Sequence, residues 1–317
     1  MFYDTQVIDN ILRDVPIPKM IKVKQIFERY GIKDISLAIK DALNKKKVSS
    51  VIKPGMKICI ACGSRGIANL PLIVKEIADF VKKRGGYPFI IPAMGSHGGA
   101  TAEGQKKVLM QLGVTEDSCG CPIISSMDTV EIAKTASGEP IFVDKHAASS
   151  NGIIVVGRIK PHTDFQAKYE SGLMKMLAVG LGKHKGAEIV HKKGAENVGA
   201  MVEQLGTYVL KHLPVLFGVA LVENAYDETK VISILTKDEI TVHDPELLKL
   251  AYASMARLLI KDIDLLIVDE IGKEISGTGA DPNVTGSFAS DIKKEGVSGP
   301  SKIIFLDLTD ATDGSAV

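Results

Sequence analysis

The sequence predicts an α/β protein, a mostly parallel sheet flanked by helices, with a second, smaller α/β domain that looks C-terminally incomplete. Three observations carry that reading. Short apolar runs alternate with segments of helical spacing, the β-α-β-α rhythm of a parallel sheet. The early runs end in glycine-rich loops, where the strands of such a sheet meet their ligands. A chain of 317 residues, 45% of them hydrophobic, can bury a large core and exceeds the usual size of one domain.

Residues 57–62, KICIAC, form an unbroken apolar run expected to be a buried strand. A turn over 63–69 leads to a helix over 70–84, in which Leu72, Ile73, Ile77, Phe80 and Val81 recur at helical spacing before Gly85 and Gly86 stop it. Residues 87–92 form a second strand feeding the loop AMGSHGGAT, after which Thr101, with Glu103 in the first turn, caps a helix running toward Leu112. Apolar runs at 122–126, 129–133, 140–143 and 152–156 read as strands, and 172–181 reads as helical. A helix over 198–212, a strand over 215–222, a helix over 245–260 and strands over 265–268 and 302–308 complete the series. The acidic loop 223–228, ENAYDE, reads as solvated. The domain boundary falls near Lys261, dividing the chain into 1–261 and 262–317. Two strands followed only by TDATDGSAV are hard to stabilise alone, so the second domain is expected to continue beyond Val317.

The 39 basic and 38 acidic residues nearly cancel, and the basic ones are scattered apart from short runs such as Lys45, Lys46 and Lys47; a nucleic-acid footprint is absent. No stretch approaches the roughly 18 apolar residues of a membrane span, and the opening MFYDTQVIDNILRD carries acids and lacks the apolar centre of a signal peptide. A cytoplasmic protein is expected, with neither nucleic acid nor membrane as a partner. No internal repeat of fixed period stands out.

The loops CGSRG, GSHGG and GRIKPH converge if the sheet is parallel. In the first, Arg65 joins exposed backbone N–H groups, a combination suited to phosphate or carboxylate; a plain surface arginine is the alternative. In the second, glycines around His97 let a substrate approach and leave the imidazole at the strand end, unless it merely caps the next helix. His162 follows Pro161, whose fixed φ helps orient it; the alternative is an ordinary loop histidine. Lys175 is bracketed by Leu173, Met174, Met176 and Leu177, a setting that desolvates its amine and lowers its pKa, unless it snorkels to water. His191 lies 16 residues further on, on nearly the opposite face of a continuous helix, so the two can meet only if the chain turns; Gly180, Gly182 and Gly186 offer the breaks. His146, His184, His212 and His243 read as structural or solvated.

Four cysteines occur as Cys59-x-x-Cys62 and Cys119-x-Cys121, too few for a disulfide framework and compatible with a metal site. Side chains three apart on a strand face opposite ways, so Cys59 and Cys62 chelate poorly unless Cys62 is already in the turn. No GxGxxG, P-loop or GxSxG signature is present.

Taken in order, CGSRG, AMGSHGGAT, RIKPHTDF, ESGLMK and the His191 spacing resemble the nickel-pincer lactate racemase family, in the branch whose substrates are largely unassigned. The resemblance runs from about Ser50 to the end of the chain. It implies that Lys175 tethers a nickel-pincer nucleotide, of the nickel pyridinium-3,5-bisthiocarboxylic acid mononucleotide type, and that His191 completes the nickel coordination. It implies His97 and His162 as the two acid/base residues, and Arg65 near cofactor and substrate carboxylate. Cys62 stands where lactate racemase has an aspartate and Gly63-Ser64 replaces the neighbouring pair, so Cys62, Gly63, Ser64 and Arg65 are expected at the cofactor with contacts different from those for lactate. The loop before Lys175 looks longer than in lactate racemase and leaves Lys168 as a second candidate tether. GTGADPNVTG resembles the family's cofactor loop only loosely.

On this reading 1–261 is the catalytic and cofactor-tethering domain, and 262–317 begins a domain closing over the site. The expected reaction is racemisation or epimerisation of a 2-hydroxy acid, in which a histidine takes the hydroxyl proton while the cofactor takes hydride. Partners would be that small molecule and the cofactor-synthesis enzymes, with a homo-oligomer left open. Two other classes stay in competition: an oxidoreductase with zinc or an iron–sulfur cluster on the four cysteines, and a non-catalytic protein that binds a hydroxy acid or nucleotide.

Overall fold

The computed structural model describes residues 5–16, 19–287, 299–312 and 314. Among these residues nine strands form three sheets. The strands are β1 (Lys57–Cys62), β2 (Tyr87–Pro92), β3 (Thr129–Lys134), β4 (Pro140–Asp144), β5 (Gly152–Arg158), β6 (Val215–Glu223), β7 (Thr229–Thr236), β8 (Leu265–Ile271) and β9 (Lys302–Leu308). The central sheet has the order β2-β1-β5-β6-β7, with all neighbours parallel except β7, which runs antiparallel to β6. The fold is therefore the expected mostly parallel α/β arrangement.

Both faces of this sheet are covered, as parallel strands require. Cys59 and Ala61 join one apolar core with the helix Val198–His212, while Ile58, Ile60 and Cys62 join the other with the helix Leu70–Lys83. Alternation along β1 thus separates Cys59 from Cys62. The helix Leu70–Lys83 buries Ile73, Ile77, Phe80 and Val81 as expected, but Leu72 faces outward and Val74 and Ala78 complete the stripe instead. Thr101 caps the helix Ala102–Gln111 by accepting the Gly104 N–H at 3.0 Å.

Several expectations need correction. The run 122–126 forms only a single bridge, Ile90 to Ile123, and β3 and β4 pair with each other outside the main sheet. Strand β7 and the helix Ile35–Leu43 lie outside the predicted elements; Asp34 caps that helix by accepting the Leu37 N–H. The 223–228 loop is not solvated throughout: Glu223 is buried, pairs with Arg158 at 2.6 Å and accepts the Ala68 N–H at 2.7 Å.

The helix expected over 245–260 instead spans Lys237–Ser254, started by a Thr236/Glu239 capping box. Pro245 lies inside it and has no N–H to offer the Thr241 carbonyl four residues back. Tyr169 supplies the missing donor, its hydroxyl reaching that carbonyl at 2.8 Å. The proline that should interrupt the helix thus creates an acceptor for the loop beside it. Among the described residues no helix is long and apolar enough to cross a membrane.

Candidate active site

The loops following β1, β2 and β5 leave the same edge of the parallel sheet, and the segment bearing Lys175 lies across them. The helical turn Leu173–Lys175 continues directly into a π-helix, Met176–Gly180. Gly63, just after β1, permits the approach: a Cβ there would lie 3.1 Å from the Met176 sulfur. Gly172 opens the helical turn and has no side chain to cap it. Asp244 reaches in from the helix Lys237–Ser254 and accepts the Met174 N–H at 2.9 Å. A Cβ on Gly172 would fall 2.6 Å from that carboxylate, so only glycine fits.

Lys175 is half-buried, its ammonium 5.4 Å from the centre of the Phe165 ring. Burial, helped by Arg65, lowers its pKa to about 8 against the opposing charges of Asp164 and Glu170. About a tenth of the amine is then neutral, and therefore nucleophilic, at pH 7.

His97 Nδ1 lies 2.7 Å from Ser64 Oγ, so the first two loops meet through this pair. His97 is exposed, yet the protein around the ring desolvates it in part and Arg65, Lys175 and Lys273 add positive charge, bringing its pKa down to about 4. It is a neutral imidazole at physiological pH. Ser64, expected at the cofactor, has a defined partner in the protein. Arg65 has its pKa lowered by burial and by Arg158, and its guanidinium packs so closely on Gly277 that a Cβ there would lie 2.6 Å from Nη2.

His162 is held from several sides. Its N–H donates to Glu170 at 2.6 Å, its carbonyl accepts from Asn283 at 3.1 Å, and its ring lies 4.3 Å from that of Phe165. The Asp164 N–H points to its Nδ1 at 3.1 Å. Glu170 is 2% exposed and also accepts the Tyr252 hydroxyl at 2.9 Å. The helix Lys237–Ser254 therefore braces the whole third loop, through Thr241, Asp244 and Tyr252, which recur on one helical face.

The segment after β8 completes the site. Lys273 adds charge near His97, Gly277 meets Arg65, Asp281 pairs with Lys160 at 2.7 Å, and Asn283 holds the His162 carbonyl. Around His97 the nearby charges are the cations Arg65, Lys175 and Lys273, a setting suited to an anionic ligand, while Asp164 and Glu170 face Lys175 from the third loop.

His191 is placed differently. It is exposed on the last turn of the helix Lys183–His191, and among the described residues no hydrogen bond, ion pair or ring contact joins it to Lys175. The chain does turn between them, and the left-handed residue there is Lys183 rather than a glycine. Ala187, one turn before His191 on the same face, packs against the His97 loop, where a Cβ on Gly95 would lie 3.5 Å from it. Lys168 is exposed and pairs with Glu203 at 2.7 Å.

The four cysteines are buried and free. Cys62, expected at the cofactor, lies in the core with Cys119 and Cys121, and burial pushes its thiol up. Among the described residues no three His, Cys, Asp or Glu side chains gather in a way that could hold a metal ion. The cysteine-centred oxidoreductase has no cage here.

Asp164, Phe165 and Glu170 sit inside motifs recognisable in the sequence. Lys273 and Asn283 follow a strand in a glycine-rich segment, the same signal that marked the first loops. Asp244 and Tyr252 carried no local signal.

Residues 3–201, well over half of the chain, match the family described as lactate racemase N-terminal domain. The fold is similar to that of the lactate racemase apoprotein from Thermoanaerobacterium thermosaccharolyticum, with a TM-score of 0.50 and 16% identity over 74% of this chain and 58% of that one. It is also similar to a protein from Thermotoga maritima, with a TM-score of 0.55 and 14% identity over 75% of this chain and 64% of that one. The chain therefore spans less than two thirds of either structure. No curated protein matches it.

Proposed function

Because the chain belongs to the lactate racemase N-terminal domain family, we propose that it is a racemase or epimerase of a 2-hydroxy acid, working with a nickel-pincer nucleotide tethered to Lys175. The observation that carries the reading is Lys175 itself, an amine with a pKa of about 8 beside the Phe165 ring and near His97.

The residues suit such a group. Lys175 offers a partly neutral amine for a covalent link, and Arg65 and Lys273 supply positive charge for phosphate and carboxylate. His191, exposed and without a contact to Lys175, would supply the one protein imidazole to the nickel, and the nucleotide would supply the other donors. When bound, the group supplies a reversible hydride acceptor, chemistry that no amino-acid side chain provides.

The protein's own residues bind the acid and move its proton. Arg65 holds the substrate carboxylate. His97, neutral at pH 7, takes the hydroxyl proton. His162 accepts the Asp164 N–H at Nδ1, which leaves its own proton on Nε2, the tautomer that donates. Inversion needs an acceptor for one enantiomer and a donor for the other, and two imidazoles on separate loops meet that need. The segment after β8 helps orient these groups through its contacts with Arg65 and with the His162 carbonyl.

Protein produced together with the cofactor-synthesis enzymes is expected to carry a covalent adduct on the Lys175 peptide and about one nickel per chain, the single-site expectation. It should interconvert the enantiomers of a 2-hydroxy acid. An unmodified, nickel-free chain overturns the reading, as does an adduct that survives Lys175→Ala. A loaded protein that turns over no 2-hydroxy acid would be a binding protein of the same fold.

A further inference from the structure

Lys183 is 0% exposed and its backbone has a φ of 53°, the left-handed region that lysine rarely adopts. The chemistry proposed above does not use it. A buried ammonium and a strained backbone both cost stability, and they persist where the surroundings demand them.

The contacts of Lys183 lead to the active site. Its ammonium donates to the Pro92 carbonyl at the end of β2, donates to Gln105 Oε1 at 3.2 Å and pairs with Asp144 Oδ2 at 3.2 Å. Asp144 is equally buried, and its other oxygen accepts the N–H groups of His146 and Ala147. An ammonium carries donors only, so it dictates which end of the Gln105 amide faces it. The Gln105 NH2 must then face the other way, where it donates to the carbonyls of Gly95 at 2.9 Å and His97 at 3.2 Å.

The clamped loop needs such a hold. Gly95, Gly98, Gly99 and Ala100 all have positive φ, so no regular ladder stabilises it. It also lies hard against the helix beneath, where a Cβ on Gly98 would come within 2.7 Å of the Gln105 nitrogen. We propose that Lys183 is a positioning residue for His97: it orients Gln105, and Gln105 fixes the two carbonyls that hold the imidazole beside Ser64 and the cleft. The catalytic importance of this hold rests on the acid/base assignment of His97 argued above.

The test reads the imidazole itself in the cofactor-free protein, so its outcome is separate from that of the racemase reading. Lys183→Met alone would strand the Asp144 charge; the variant is therefore Asp144→Asn with Lys183→Met, which removes both charges and keeps an acceptor for His146 and Ala147. Carbethoxylation of His97 by diethylpyrocarbonate is followed by peptide mass from pH 5.5 to 8, with circular dichroism and a thermal melt reporting the fold. In the wild type the rate is expected to stay flat. In the folded double variant it should fall roughly tenfold from pH 8 to pH 5.5, as for an imidazole titrating near its ordinary pKa. Gln105→Met, with Lys183 in place, should give the same profile. A folded double variant with the wild-type His97 profile overturns the proposal, whatever its melting temperature. Should the double variant not fold, an unchanged profile in Gln105→Met overturns it instead.

Discussion

Asp244 caps a helix to which it does not belong: its carboxylate accepts the Met174 N–H at 2.9 Å, 70 residues away in sequence, one residue before Lys175. Burial raises the pKa of this acid to about 6, against the backbone donors that favour its charged form. Because the folded-state pKa lies above the unfolded value of 3.8, the proton stabilises the fold below about pH 4 and that contribution is lost as pH rises through 6. In Asp244→Asn this dependence should vanish. The stability difference between variant and wild type, read from urea unfolding, should grow in the variant's favour by about 2 kcal/mol between pH 4 and pH 7, the order given by a two-unit shift. A difference independent of pH would contradict the assignment.

The Tyr169 hydroxyl serves a carbonyl that Pro245 leaves without a helical donor. Tyr169→Phe should therefore cost about 1 kcal/mol in the wild type, the usual net worth of such a bond. In a Pro245→Ala background the restored N–H competes for the Thr241 carbonyl, and the cost should drop below about half of that. A double-mutant cycle by urea denaturation measures the coupling directly. Equal costs in both backgrounds would show that the proline has no part in it.

Lys175 should react with an amine acylating reagent far below the pH at which ordinary lysines do. Competitive acetylation of the cofactor-free chain, followed by peptide mass, is expected to give a half-maximal rate near pH 8. In Arg65→Met the midpoint should rise, because Arg65 is one of the charges that lower it. A midpoint above 10 in the wild type would mean that the amine lies open to water.

In the loaded enzyme the acid limb of kcat/KM should follow His97, since that parameter reports the free protein. Desolvation, the largest cause of its lowered pKa, and the charges of Arg65 and Lys273 remain once Lys175 is tethered and uncharged, so the limb should lie below 6.5. Lys273→Met removes one of the charges holding it down and should move the limb upward. A limb near 6.5 in the wild type would indicate that His97 is solvated or is not the base. His97→Gln and His162→Gln should each lower turnover at least 100-fold, the scale of a lost acid or base.

Strands β1, β2, β5 and β6 were legible because each is an apolar run stopped by glycine or a polar turn, a local pattern. β7 was not, since an antiparallel edge strand alternates and TKVISILT mixes polar residues with apolar ones. The first turns of Lys237–Ser254 were hidden by Pro245, whose missing N–H reads as a boundary until a partner such as Tyr169 is seen to satisfy the orphaned carbonyl.

By itself the sequence determined the parallel sheet, the glycine-rich loops at one edge of it and the residue types on those loops: Arg65, His97, His162 and Lys175. Periodicity, glycine and local motif are properties of neighbouring residues, so no fold was needed to see them. Only the tertiary structure decided that Ser64 faces His97, that Cys62 is sealed in the core, that Asp244 caps the turn before Lys175 and that Lys183 reaches the His97 loop through Gln105. Most of these are contacts between residues tens of positions apart, and both pKa values and hydrogen-bond partners depend on what packing brings near and what it shuts away from water.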